Sequence, residues 1–339
     1  MTSSINGLLF IDDEEGVRRS IKRALKKEPY QIYTAETGEK GIKILKDNIY
    51  DIITVISDYK MPGLDGLETL TRIGALNPEI TRILLTGYAS MEAAILATNQ
   101  GIDGFLLKPF DNLELRANIN NISIRKRLRQ FVPEQIYSEL EKSRGFLQPA
   151  FHEASILFAD IRGFTSMSQN IPPEAIASFL NDQYFTPMGE IAFKHHGTVD
   201  KHIGDGIMVV FGAPVAHSDD VLRAVAAAVE IQQKAAEIDC RLKQKNGLRL
   251  KLGIGIATGA VFSGVLGSFR KKEYTSIGMA VNIASRLQGL AGPGEILISE
   301  TSFHKIEKSD LAGTLKVEAM GPISVKGLNE PIKTYRITL

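Results

Sequence analysis

The first third of the chain alternates short apolar runs with amphipathic stretches. The apolar runs are Leu8–Ile11, Ile32–Thr34, Ile52–Ile56, Ile83–Leu85 and Phe105–Leu107. Helical spacing appears between them near 15–27, 39–46, 67–76 and 90–100, and a further helix begins near Asp111. Apolar runs without polar alternation suit strands covered on both faces. Their alternation with helices predicts a doubly wound α/β domain of five parallel strands over residues 1–120. In such a sheet, chemistry collects where the carboxyl ends of the strands open on one edge.

The order changes beyond residue 150. A strand over 153–159 precedes a helix over 172–194 and a hairpin, "GTVDKHIGDGIMVVFG". A helix over 218–245 leads into the glycine-rich run Leu252–Phe269, which "ATGA" interrupts and which reads as two buried strands and a turn. "KKEYTSIG" then meets the helix "MAVNIASRLQGL", and two further strands near 295–299 and 314–337 close the chain. Mixed strands with helices on one face predict an α+β domain over 150–339. Residues 112–145 are charged and helical, and 121–149 is expected to be a helical linker between the two domains. Leu115, Ile119 and Ile122 share a 4-3 spacing that Ile124, Leu128 and Phe131 repeat in a shifted phase. That pattern suits either a short dimer coiled coil with a stutter or an ordinary surface helix.

Composition narrows the class. A length of 339 residues with 44% hydrophobic content is enough for two or three domains with their own cores. A net charge of +1 gives no sign of a nucleic-acid or membrane field over the whole surface. A lone cysteine, Cys240, excludes an intrachain disulfide and suits a reducing compartment, and the early acidic residues are unlike a secretory signal. The glycines of Leu252–Phe269 argue for strands rather than a membrane span. The expected location is the cytoplasm.

Candidate chemistry begins at the first sheet. Asp12 and Asp13 end the first strand, Asp58 the third, Thr86 the fourth and Lys108 the fifth. Three carboxylates on one edge repel unless a cation sits among them, and hard oxygen ligands suit Mg²⁺. With a hydroxyl and an ammonium beside them, they form a place to make and hold an aspartyl phosphate. "FIDDEE", "SDYKMPGLDG", "LLTGYAS" and "LLKPF" resemble, in order and spacing, the flavodoxin-like receiver domains of two-component systems. The resemblance implies Asp58 as phosphoacceptor, with Asp12 and Asp13 as the acids that hold one Mg²⁺ beside it. It makes Thr86 the switch hydroxyl, Phe105 the switch aromatic and Lys108 the phosphate partner. It also implies a cis Lys108–Pro109 bond and a cognate histidine kinase as phosphodonor.

In the second domain Asp160 ends the run "ILFAD", and Asp205 sits at the hairpin tip between Gly204 and Gly206. If the hairpin lies beside the 153–159 strand, both carboxylates face one spot with no nearby basic partner, which implies two hard cations. "RGFTS" offers backbone N–H groups at a helix start, a cradle for phosphate. Ala280, Ile283, Ala284 and Leu287 make the apolar face of "MAVNIASRLQ", while Asn282 and Arg286 share the other. An amide and a guanidinium on one rigid face can hold a ribose and a phosphoryl group.

The stretches "ILFADIRGFTSMSQ", "DKHIGDGIMVVFG", "GIGIATGAVFSGVLGS", "EYTSIGMAVNIASRLQ" and "ISVKGLNEPIKTYRI" resemble the ferredoxin-like catalytic domain of class III nucleotidyl cyclases. That family turns a nucleoside triphosphate into a 3′,5′-cyclic nucleotide and pyrophosphate. The resemblance makes Asp160 and Asp205, with the Ile161 carbonyl, ligands of two Mg²⁺ or Mn²⁺ ions. Phe164 and Thr165 would offer backbone N–H groups to the phosphates, and Lys326 in "SVKG" would be the triphosphate lysine. Asn282 would orient the ribose, and Arg286 would neutralise charge on the α-phosphate. Lys201 and Thr275 occupy the purine-selecting positions. A lysine donates to adenine N1, while a threonine hydroxyl can accept from the adenine amino group or donate. This pairing resembles a bacterial adenylyl cyclase subgroup and implies ATP as substrate. A guanylyl cyclase and a catalytically silent nucleotide sensor are the alternatives. The sequence departs from the pattern at Thr275, where many members have Asp. It departs again at Gly253, where some carry a phosphate-contacting Arg that Lys271 or Lys272 would have to replace.

In the family the metal acids come from one subunit and the selectors, Asn and Arg from the facing one. This chain carries both sets, which implies a homodimer with two equivalent sites. "RQFVPEQIYSEL" resembles the short transducer before many such domains, so 112–145 is expected to transmit the receiver's state. No basic recognition helix appears, and neither nucleic acid nor membrane is an expected partner.

Overall fold

The computed structural model describes residues 6–338 apart from 50, 88–99, 130, 144–146, 170, 244–247, 308, 310–312, 314 and 324–330. It forms two compact units, Met1–Phe131 and Val132–Leu339. In the first, strands β1 (Asn6–Ile11), β2 (Tyr30–Ala35), β3 (Ile52–Asp58), β4 (Thr81–Thr86) and β5 (Gly104–Leu107) are all parallel, in the order β2-β1-β3-β4-β5. Each predicted apolar run falls inside one of them. Leu9, Ile11 and Val55 enter one core, and Leu8, Phe10 and Ile56 enter the other, which is why these strands show no polar alternation. The helix expected near 90–100 lies, but for residue 100, outside the described residues.

The helix Asn112–Arg129 separates the two phases of its apolar pattern. Leu115 and Ile119 are buried in the core of the first unit, with Ile122 packed beside them. Ile124, Leu128 and Phe131 are exposed, at 46%, 59% and 83%. The first phase therefore anchors the helix to its own sheet and is not a dimer seam. Only the second phase is open.

In the second unit, β6 (Ala150–Ile161), β7 (Thr198–Ile203), β8 (Gly206–Phe211), β9 (Leu252–Gly267), β10 (Lys272–Ile277), β11 (Ile296–Ser299), β12 (Lys316–Ile323) and β13 (Ile332–Thr338) form one mixed sheet. Its order is β12-β13-β11-β9-β6-β8-β7, with β10 on the outer half of β9. The glycine-rich run is a single strand, not two strands and a turn. "ATGA" stays in register with β6 throughout, from Ala257 opposite Ile156 to Ala260 opposite Glu153. Helices also cover both faces rather than one. Leu157, Ala159 and Ile161 of β6 pack with the helices Thr186–Lys194 and Asp220–Lys243, whereas Ala154, Ile156 and Phe158 pack with Met279–Leu290. The predicted 172–194 helix is broken by a π-helical turn, Leu180–Phe185. The expected strand over 314–337 is two strands, and a helix, Glu300–Ile306, went unpredicted. No described helix is long and apolar enough to cross a membrane.

Candidate active site

Each unit gathers acids at strand ends. In the first, Lys108 Nζ lies 2.5 Å from Asp58 Oδ1 and 3.0 Å from Asp12 Oδ2, reaching the pair from the end of β5, just before the cis Lys108–Pro109 bond. Burial alone would lower the Lys108 pKa, but the two carboxylates more than offset this and raise it. Burial raises the Asp12 carboxyl. Asp13 is exposed, and its carbonyl accepts from Arg18 Nη1 at 2.9 Å, which ties down the loop after β1. Thr86 is buried at the end of β4, and Phe105 is half-buried on β5. Gly66 has a reason: a Cβ there would come within 2.0 Å of the Asp58 carbonyl oxygen, so the next helix can start directly behind Asp58.

In the second unit, Asp160 pairs in register with Gly206 of β8, directly after the tip residue Asp205. Burial, and then the Asp205 carboxylate, push the Asp160 carboxyl from 3.8 up to about 6, against the pull of Arg162. Two neighbouring acids that penalise each other's charge are what a divalent cation relieves. Among the described residues no three His, Cys, Asp or Glu side chains gather as a metal cluster, so a cation here must draw further ligands from backbone carbonyls such as Ile161, from water or from a nucleotide. The strand end is held by Tyr184 of the π-helical turn, whose buried hydroxyl donates to the Ala159 carbonyl at 3.0 Å. Phe164 and Thr165 open a short helix after the left-handed Gly163, where first-turn N–H groups have no intrahelical partner. Lys326 lies outside the described residues.

The expectation of no basic partner is wrong. Arg162 Nη1 is 3.9 Å from Asp160 Oδ1, and its Nη2 donates to the Gln288 carbonyl. The Arg162 side chain also fills the space over Gly253, where a Cβ would meet Nη2 at 2.0 Å. The cation above this strand is thus Arg162, while Lys271 and Lys272 are exposed at the β9–β10 turn. Tyr184 and Arg162 were both missed. Arg162 had a readable signal, because a basic residue stands two positions past Asp160, directly after the strand ends.

The raised Asp160 carboxyl has a measurable consequence. Between pH 3.8 and about 6 the fold retains a proton that the unfolded chain has released, so this site's contribution to stability falls as pH rises through that window. Above it, a cation takes over the proton's role. Millimolar Mn²⁺ is therefore expected to raise the melting temperature at pH 7.5 and to have little effect at pH 5. Equal shifts at both pH values, or a full shift in Asp160→Ala, would show that the metal binds elsewhere.

Lys201 of β7 and Thr275 of β10, the two residues expected to select the purine, meet through Asp200 although their strands do not pair. Thr275 of β10 donates its hydroxyl proton to Asp200, with Oγ1 2.7 and 3.0 Å from the two carboxylate oxygens. Lys201 Nζ lies 3.3 Å from Asp200 and 3.1 Å from Glu273. Burial raises the Asp200 carboxyl, with Thr275 and Lys201 pulling against it. Asn282 and Arg286 are exposed on the helix Met279–Leu290, and among the described residues neither bonds to Asp160 or Asp205. One chain therefore brings together the acids, and separately the selectors, but does not join them to the amide and guanidinium.

Comparisons with known proteins agree with this division. Residues 147–338 match the adenylate and guanylate cyclase catalytic domain, and residues 8–120 match the response regulator receiver domain. An adenylate cyclase of Anabaena cylindrica is 36% identical over 186 residues, 54% of this chain but only 36% of that protein's length. The crystal structure of the adenylyl cyclase CyaB from P. aeruginosa superposes with a TM-score of 0.53 at 32% identity, covering 57% of this chain and 97% of that one. The guanylyl cyclase Cya2 superposes with a TM-score of 0.51 at 35% identity, covering 56% and 94%. Class III cyclases generally work with divalent metal ions. With an all-parallel receiver sheet ahead of a mixed sheet that carries the paired acids, the chain belongs to the class III nucleotidyl cyclases, as a member that bears a response regulator receiver domain.

Proposed function

We propose that the chain is a receiver-controlled adenylyl cyclase that converts ATP to 3′,5′-cyclic AMP and pyrophosphate at two equivalent sites shared across a homodimer. The observation that carries this is the Asp160–Asp205 pair, whose mutual repulsion calls for cations, on a chain whose Asn282 and Arg286 face outward. Exposed apolar side chains support a second copy. Phe151 and Ile277, 80% and 52% exposed, both lie opposite Phe262 of β9, and Met279, 50% exposed, begins the helix that bears Asn282. Two bound Mg²⁺ or Mn²⁺ ions would supply Lewis-acid chemistry, acidifying the ribose 3′-hydroxyl and neutralising the triphosphate. Asp160, Asp205 and the Ile161 carbonyl hold that charge. From the partner copy, Asn282 fixes the ribose and Arg286 offsets charge on the α-phosphate as the 3′-oxygen attacks and the bond to pyrophosphate breaks. The hydroxyl proton leaves to solvent. Arg162 and the Phe164 and Thr165 N–H groups serve the phosphates, as does Lys326. Lys201 and Thr275 read the base.

Control begins at Asp58, with a histidine kinase as phosphodonor. A phosphoryl group there gives Lys108 a new acceptor and a reason for Thr86 and Phe105 to shift. The open Ile124 and Leu128 of the following helix, with Phe131 just past its end, would carry the change to the second copy. A guanylyl cyclase is the competing reading, because Cya2 is as similar in fold as CyaB. The deciding experiment offers the purified chain ATP and GTP separately with Mg²⁺ or Mn²⁺ and identifies the product. Cyclic AMP is expected at a kcat/KM at least about tenfold that for GTP. No cyclic product from either triphosphate would leave the silent sensor. In the same assay beryllofluoride, which mimics the acyl phosphate, should change turnover at least about fivefold, and Asp58→Ala should abolish the response. Equal turnover with and without it would reject receiver control.

A further inference from the structure

Thr275 is ambiguous as a base reader, because a hydroxyl both donates and accepts. Its surroundings remove the ambiguity. β7 carries a bulge: Val199 pairs with Val209 and Lys201 with Met208, leaving Asp200 as the extra residue. A bulge re-aims side chains, and here Asp200 and Lys201 both reach β10. They meet Thr275 and Glu273, which are two apart and so share a face of that strand. The Asp200 side chain is only 3% exposed. It accepts the Thr275 proton at 2.7 Å and the Ser276 N–H at 3.3 Å, with the Lys201 ammonium 3.3 Å away. A carboxylate has no proton to give back. Thr275 has therefore spent its one proton and keeps only lone pairs, while Lys201 has only protons.

We infer that Asp200 is a positioning residue for base selection: by holding the Thr275 proton, it turns that hydroxyl into a fixed acceptor beside a fixed donor. Adenine presents an acceptor at N1 and a donor at its 6-amino group, which matches the pair. Guanine presents N1–H and O6, which reverses both polarities. This rests on the adenylyl cyclase reading and names what enforces it.

The test compares kcat/KM for ATP, GTP and purine riboside triphosphate, which lacks the 6-amino group. The wild-type chain should use the 6-amino-free analogue at least about tenfold less well than ATP. Asp200→Asn offers an amide N–H to the Thr275 oxygen and frees its proton, so the ATP-to-GTP ratio should fall roughly tenfold or more. Thr275→Val should lose a similar amount, and the double variant no more than either single one. If Asp200→Asn lowers ATP and GTP use equally, Asp200 is merely structural and the inference fails. It also fails if the wild-type chain accepts the analogue as well as ATP, a measurement that needs no variant to fold. A wild-type preference for GTP would overturn both this inference and the adenylyl reading. A preference for ATP with an unchanged ratio in Asp200→Asn would overturn this one alone.

Discussion

Asp160→Ala and Arg286→Ala, each inert by itself, should regain activity when mixed, to about a quarter of the wild-type rate. The figure follows from symmetry. In an equal mixture that exchanges freely, half of the dimers hold one copy of each variant. In each of these, one of the two sites inherits both lesions and the other inherits neither. Each single variant should fall by at least about a hundredfold. Without Asp160, Asp205 lacks the neighbour whose repulsion makes the site take a cation, and Arg162 loses the carboxylate it faces. Without Arg286 the developing charge on the α-phosphate loses its partner. Because Arg286 is exposed on the helix Met279–Leu290, its removal leaves the fold of its own chain intact. Differently tagged variants would be copurified to verify mixed dimers before cyclic AMP is measured. Verified mixed dimers with no recovered turnover would mean that one chain supplies a whole pocket, and the shared-site proposal would fall.

What the sequence displayed was mostly what one residue type does for one reason. The receiver strands were legible because a strand buried on both faces must be apolar at every position, and Leu8 to Ile11 are all fully buried. Asp160 and Asp205 were legible because one closes an apolar run and the other stands between two glycines at a hairpin tip. The failures come from residues whose chemistry suits two purposes. Glycine marks turns, but it also marks close approach, and "ATGA" reads as a turn in sequence although it is strand. The two apolar phases of the 112–131 segment suit a seam with a stutter or a surface helix equally well in sequence, because spacing alone does not show that one phase faces the receiver core and the other is open. Asp200 gave no signal, because a one-residue bulge leaves no periodic trace over so short a strand. Gly253 appeared as a missing cation, yet the vacancy is what admits the Arg162 guanidinium. Such pairs, a small residue on one strand and a long one on its neighbour, become visible only when the register is known.

Gly255→Ala should cost the catalytic unit its stability and its activity together. A Cβ at Gly255 would lie 2.1 Å from the Gln288 nitrogen and 2.3 Å from the Ala284 carbonyl oxygen. Both are backbone atoms of the helix Met279–Leu290, so no rotamer change relieves the clash and the helix itself must move. That helix is seated by Ala280, Ala284 and Leu287, all buried, so displacing it opens the packing on one face of the sheet. Overpacking of this kind costs about 1–3 kcal/mol, and a unit of this size should melt roughly 2–12 °C lower. The same helix carries Asn282 and Arg286, and a shift of about 1 Å in such groups can cost about a hundredfold in rate. Gly259→Ala, on the same strand and against the same helix, is the control. Its Cβ would meet only the Ala280 methyl at 3.5 Å, an ordinary contact, and its melting temperature should stay within about 2 °C of wild type. Calorimetry and cyclic AMP production on both variants would decide it. A Gly255→Ala protein as stable and as active as Gly259→Ala would mean that the helix does not sit on β9 as described, and the placement of Asn282 and Arg286 would have to be rebuilt.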